Sequence, residues 1–181
     1  MRYTIALFIL LFFYQGNAQS LLDSVVQTYA KVHDSVKVRA YLDIAASIQN
    51  KDYPNCLLLC EKVIALSQQQ QNKHTEAEAY LLKGLTNYFA GEYDQTLSYY
   101  LKSIQLYESV QDWEGQAKVY NELGFFYRKQ QDDAACIRSF DKAFEFANNL
   151  QNKDLVKLLY SNFNKNLIVV ELTLVGTKHG S

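Results

Sequence analysis

Apolar residues recur at intervals of three and four along most of this chain. Ala117, Tyr120, Leu123 and Tyr127 form one stripe, and Cys136-Ile137, Phe140, Ala143-Phe144 and Ala147 form the next. That spacing gives a helix one apolar face, so each stretch is predicted to be an amphipathic helix that buries one side. Break signals separate the stripes: Ala90-Gly91-Glu92, Gln131-Asp132-Asp133, and Asp52-Tyr53-Pro54, where the single proline falls in a first helical turn that tolerates it. The pattern predicts a leading helix over about 20–31, pairs over about 35–50 with 54–69, 74–90 with 93–109 and 113–130 with 133–149, and a final helix over about 153–166. The leading helix reads as the second half of a two-helix unit and the last as the first half of another.

A shift of forty residues lays Tyr80, Tyr120 and Tyr160 on one another. The same shift aligns Gln71-Asn72, Gln111-Asp112 and Gln151-Asn152, then Gly84 with Gly124 and Tyr100 with Phe140, and it carries Tyr93, Thr96 and Tyr100 back onto Tyr53, Cys56 and Cys60. A fixed period of this length points to repeated supersecondary units. Close helix approach at Gly84 and Gly124, with Thr96 and Cys136 as the facing small side chains, is the packing this predicts. Tyr80, Tyr100, Tyr120, Tyr127 and Phe140 then serve as core rather than as a platform for bases.

The stretch Tyr120-Asn121-Glu122-Leu123-Gly124-Phe125-Phe126-Tyr127 resembles the tetratricopeptide signature, with Tyr in the place of its usual Trp, and Cys136 to Phe140 resembles its Ala-x-x-x-Phe half. In the preceding unit Tyr80, Gly84, Gly91-Glu92-Tyr93-Asp94 and Tyr100 follow the pattern, while Lys83 and Asn87 depart from it and Thr96 stands where Ala is usual. In the first unit Ile44 occupies the glycine place, and only the register is recognisable. The period is forty rather than the family's common length of about thirty-four, which is similar to the longer-repeat branch found in kinesin light chains and in helical domains of some bacterial regulators.

The resemblance covers about residues 20–166. It implies an all-α, right-handed superhelical solenoid of antiparallel helix pairs, with the first helix of each pair lining a concave wall that holds a protein or peptide. By helical spacing that wall would carry Glu78, Leu81, Leu85 and Tyr88 in one unit and Lys118, Asn121, Phe125, Arg128 and Lys129 in the next. These positions are either peptide contacts or solvated and intra-stack positions. Asn121 is the sharpest of them, since an amide can bond a peptide backbone as donor and as acceptor.

The ends add a location. Arg2 precedes the apolar run Ile5 to Tyr14, followed by Gly16 and Ala18, the pattern of a cleavable secretory signal peptide over residues 1–18. An uncleaved anchor is the alternative, although ten apolar residues fall short of the roughly 20 that span a bilayer. The expectation is an exported, periplasmic or secreted protein starting at Gln19, a helical repeat domain over 19–166 and a tail over 167–181. Loss of residues 1–18 removes Arg2 alone among the charged residues, so the 18 Lys and Arg become 17 against 19 Asp and Glu. Signs are interspersed, and nucleic acid is not expected as a partner. Cys56, Cys60 and Cys136, odd in number and in matching helical places, read as small buried hydrophobes.

No converging catalytic group is visible. His33 and His74 fall in expected turns and His179 in the tail; Glu76, Glu78, Asp132 and Asp133 read as charges at helix starts. Phosphate-loop, nucleophile-elbow and zinc-protease motifs are missing, so neither an enzyme nor a cofactor or metal is expected. Ser67 to Asn72 reads as a solvated helix end. The function expected is a non-catalytic protein-binding or peptide-binding scaffold. The alternative is a truncated sensory ectodomain of a repeat-containing signalling regulator, a sensor kinase or transcriptional regulator. Leu155, Val156, Leu158, Leu159, Tyr160, Phe163 and the run Leu167 to Val175 leave apolar surface near the C-terminal end. That predicts either a truncated repeat or self-association through about residues 155–175.

Overall fold

The computed structural model describes residues 22–164, and every regular element among them is a helix. In chain order these are α1 (22–28), α2 (Asp34–Ile48), α3 (Tyr53–Gln69), α4 (Lys73–Ala90), α5 (Tyr93–Ser109), α6 (Trp113–Lys129), α7 (Asp133–Asn149) and α8 (153–164). The expected boundaries among the described residues hold within about two residues except at the end of α1, which stops at 28 rather than 31. The leader over 1–18 and the tail over 167–181 lie outside the described residues.

From Tyr53 onward a helix begins every twenty residues, and one turn chemistry sets that interval. Gln71, Gln111, Gln131 and Gln151 take left-handed backbone at φ 53, 54, 61 and 52°, and Gly91 takes the same place at φ 84°. The next backbone N–H then reaches back into the finished helix: Asp112 N to Tyr107 O at 2.9 Å, Asp132 N to Tyr127 O at 3.0 Å, with equivalent bonds from Asn72, Glu92 and Asn152. This is the Schellman closure, which satisfies the last helical carbonyls. The residue that makes the bond also starts the next helix in four of the five turns. The side chains of Asn72, Asp112, Asp132 and Asn152 accept from Thr75, Gly115, Ala135 and Leu155 N at 2.8–3.1 Å. Asp52 caps α3 in the same way, accepting from Asn55 N at 3.3 Å with Pro54 in the first turn.

The chain divides into two compact units, Met1–Thr96 and Leu97–Ser181. In the first, α2 packs on α3 and α3 on α4. Its core gathers Leu22, Tyr41, Leu42, Ala45, Cys56, Leu59, Cys60 and Val63, with Ala79 and Leu82 from α4. The two departures from the repeat signature are absorbed by this packing. Lys83 is buried to its ammonium, which pairs with Glu61, and Asn87 donates from Nδ2 to Lys83 O at 2.8 Å. Thr86 fills the α3–α4 contact, its hydroxyl 3.0 Å from Cys56 Sγ.

In the second unit α6 and α7 pair closely, and Ala117, Ala143, Ala147, Leu155 and Leu159 bring α8 into their core. Phe140 is wholly buried and meets Phe125 of α6 and Phe163 of α8 edge-on at 5.7 and 5.6 Å. Tyr100 and Phe140 are fully buried as expected. Tyr80 and Tyr120 pack against the core clusters but are only partly buried, as is Tyr127, and Tyr160 is 53% exposed. For Tyr120 the reason is visible: its ring stacks on Phe146 at 5.9 Å while its hydroxyl stays at the surface beside Lys142.

Candidate functional site

The nine residues expected on a binding wall divide between the units, four on α4 and five on α6. On α4, Glu78, Leu81, Leu85 and Tyr88 are all partly buried and follow one helical stripe. Glu78 is 3.6 Å from Arg39 of α2, which also pairs with Asp43. Tyr88 meets Phe89 and Tyr93 at 5.8 and 6.1 Å between ring centroids.

On α6 the stripe is less open than its spacing implies. Lys118 is exposed and pairs with Glu114 at 2.7 Å, and Lys129 is exposed. Arg128 folds down onto Asp133 at 2.9 Å, leaving 18% of its side chain exposed. Phe125 leans on Phe140. Asn121 is buried: its Nδ2 donates to Glu122 at 2.9 Å, and its Oδ1 accepts from Asn162 of α8 at 3.0 Å. Both ends of the amide therefore already hold a partner inside the unit. Helical spacing cannot report this, because the partner lies forty-one residues away.

Glu122 completes that polar cluster. It stands in the register of Leu42 and Leu82, both buried core residues, so a carboxylate occupies an apolar place. Burial pushes its carboxyl above the usual range, opposed by the hydrogen bond from Asn121. Glu76, expected as a solvated charge at a helix start, is instead buried, its carboxylate accepting from Gln68 Nε2 at 2.8 Å.

All three cysteines are free and buried, as expected. The hydrogen bond shared with Cys56, and then burial, push the Cys60 thiol up; burial does the same at Cys136. Such thiols are poor nucleophiles. His33 is the N-cap of α2, its Nδ1 accepting from Ser35 N at 3.3 Å, and His74 lies in the first turn of α4 rather than in a turn between helices. Among the described residues no group of three or more His, Cys, Asp or Glu converges as a metal site, and no helix is long and apolar enough to cross a membrane.

A feature that spacing did not single out lies on the other side of α6. Tyr120, Leu123 and Tyr127 floor a groove of about 410 Å³. Leu101, Ile104 and Gln105 of α5 wall it on one side, and Arg138, Ser139 and Lys142 of α7 on the other. The signal available in the sequence was the like-charged pair Arg138 and Lys142, one helical turn apart. Comparison with protein-family models and with curated proteins finds no match for this chain.

Proposed function

We propose that this chain is an exported, non-catalytic scaffold of the tetratricopeptide type, which holds a protein or peptide partner on the first helices of its repeats. The observation that carries the reading is the twenty-residue interval of helix starts from Tyr53 onward, with the same left-handed turn before each of the last five and the same side-chain cap at four of those. Units of one size and one turn geometry, each with an apolar face to cover, favour stacking into a right-handed solenoid. The half-open stripes on α4 and α6 support the placement of a binding wall there. The leader Arg2 to Ala18 supports export, with cleavage before Gln19. The apolar surface of α8 supports self-association through about residues 155–175.

The test is selection from a random dodecapeptide phage library on purified residues 19–181. Enriched peptides should lose capture when Glu78, Tyr88, Lys118 and Lys129 are together replaced by Ala, with helicity unchanged by circular dichroism. If every enriched peptide is held equally well by that variant, the wall is not on these helices, and a selection that enriches nothing would count against the scaffold reading itself. Mass spectrometry of the exported product should find Gln19 as its first residue, and an intact Met1 would remove the export reading.

A further inference from the structure

We propose that the groove between α5 and α7 is a second docking site, specific for an acidic segment of a partner protein that also carries an aliphatic or aromatic side chain. The inference rests on the scaffold reading but not on the α4 and α6 wall.

Its walls are chemically unlike. Across from Leu101, which is 48% exposed, and the exposed amide of Gln105, α7 presents Arg138 and Lys142 one turn apart on the same helix face. No acidic side chain is among the lining residues to neutralise them. Like charges at that spacing disfavour a helix, so the pairing of the two does nothing to support α7 itself.

Lys142 is held in place. Its Nζ donates to Tyr120 Oη at 3.3 Å and lies 4.9 Å from the ring centroid, a cation–π position. The Tyr120 hydroxyl accepts that bond and keeps its own proton to donate. A carboxylate entering the groove would therefore meet a planar guanidinium fork and an ammonium one turn apart on α7, with a phenolic donor from α6 beside the ammonium. Below it Ile104 and Leu123 are almost fully buried and, with the exposed Leu101, offer an apolar seat for a neighbouring side chain. Gln105 is placed to bond a peptide backbone from the opposite wall. The volume lies in the range of sites that take a few side chains rather than a whole domain. Two cations on a chain with an excess of acids are too few to hold a nucleic-acid backbone.

Panning the same dodecapeptide library in parallel on residues 19–181 and on the Arg138→Gln/Lys142→Gln variant tests this. Both changed residues are exposed, so circular dichroism should show the fold retained. The parent should enrich sequences that place Asp or Glu beside an apolar residue, and the variant should not. A synthetic peptide from that set should bind the variant at least about tenfold more weakly by fluorescence anisotropy, and should weaken with added salt. Leu101→Glu, which puts a carboxylate into the groove, should lower affinity as well, while Lys51→Gln/Lys73→Gln, exposed cations that do not line the groove, should leave it unchanged. Equal binding to parent and Arg138→Gln/Lys142→Gln overturns the proposal. Loss of binding in Lys118→Gln/Lys129→Gln alone returns the ligand to the other face of α6, which overturns the groove and keeps the scaffold. A sedimentation shift of the protein by itself on Arg138→Gln/Lys142→Gln makes the occupant a second copy of this chain and likewise overturns it. Enrichment of nothing on either protein removes both readings.

Discussion

Gly124 lies against the face of Phe140: a Cβ placed on it would stand 2.6 Å from Cζ and 2.7 Å from Cε2 of that ring. The ring is fully buried and bounded edge-on by Phe125 and Phe163, so it has little room to retreat. Gly124→Ala should therefore destabilise the protein despite the better helix propensity of Ala. Overpacking costs about 1–3 kcal/mol against a propensity gain of about 1 kcal/mol. Urea unfolding should show the midpoint fall, further for Gly124→Leu, and Phe140→Leu should couple with Gly124→Ala so that the double variant loses less than the sum of the singles. A midpoint that holds or rises in Gly124→Ala would mean that the ring moves aside freely.

The left-handed glutamines are a reserve of stability. A non-glycine residue there costs about 1–2 kcal/mol, partly offset in Gly by its larger unfolded-state entropy. The Gln111 and Gln131 side chains are exposed, so little packing is lost on removal. Gln111→Gly and Gln131→Gly should each raise stability by about 0.5–1 kcal/mol, additively since the turns are distant. Gly91→Ala should lower it through backbone strain alone, because no heavy atom lies within 4 Å of where the added Cβ would stand. Unchanged urea midpoints for both glutamine variants would show that the turns carry no strain.

Glu122 makes folding pH-dependent in a defined sense. Its folded-state carboxyl is raised above the ordinary value, so the native state binds the proton more tightly than the unfolded chain. Its contribution is therefore most favourable at acid pH and is lost as pH rises through the raised value. Glu122→Gln keeps an acceptor for Asn121 and removes the charge, so it should melt higher than the parent at pH 7, with the gap closing below the ordinary carboxyl range. A gap that is absent at pH 7, or that grows on acidification, would contradict a desolvated carboxylate.

On α8, Leu155 and Leu159 are buried while Leu158 and Tyr160 are more than half exposed. Sedimentation velocity of residues 19–181 across a concentration series should reveal self-association that Leu158→Lys weakens. A concentration-independent monomer would show that this end of the protein is already covered.

How much of this was legible in the sequence follows from the range over which each signal acts. The period of apolar residues and the break residues between them are local, and they located α2 to α7 within about two residues. The forty-residue shift reported equivalent positions without any contact being known. It led to Gly124 and its close neighbour, but not to Gly115, whose missing Cβ makes room for the Tyr107 ring. It aligned Gln71, Gln111 and Gln151 without revealing their left-handed backbone, since Gln carries no preference for that conformation and is placed there by the need to reverse the chain in three residues.

The sequence by itself determined which residues form α2 to α7, where those helices stop and which side of each is apolar, because those depend on neighbours within a turn or two. Only the tertiary structure decided what covers each face. Asn162 engages the Asn121 amide, Arg128 turns to Asp133, a carboxylate at Glu122 meets a desolvated place, and α5 stands across from Arg138 and Lys142 to make a groove of them. Burial and charge environment are properties of pairs brought together from distant parts of the chain, and helical periodicity names the side of a helix without naming its neighbour.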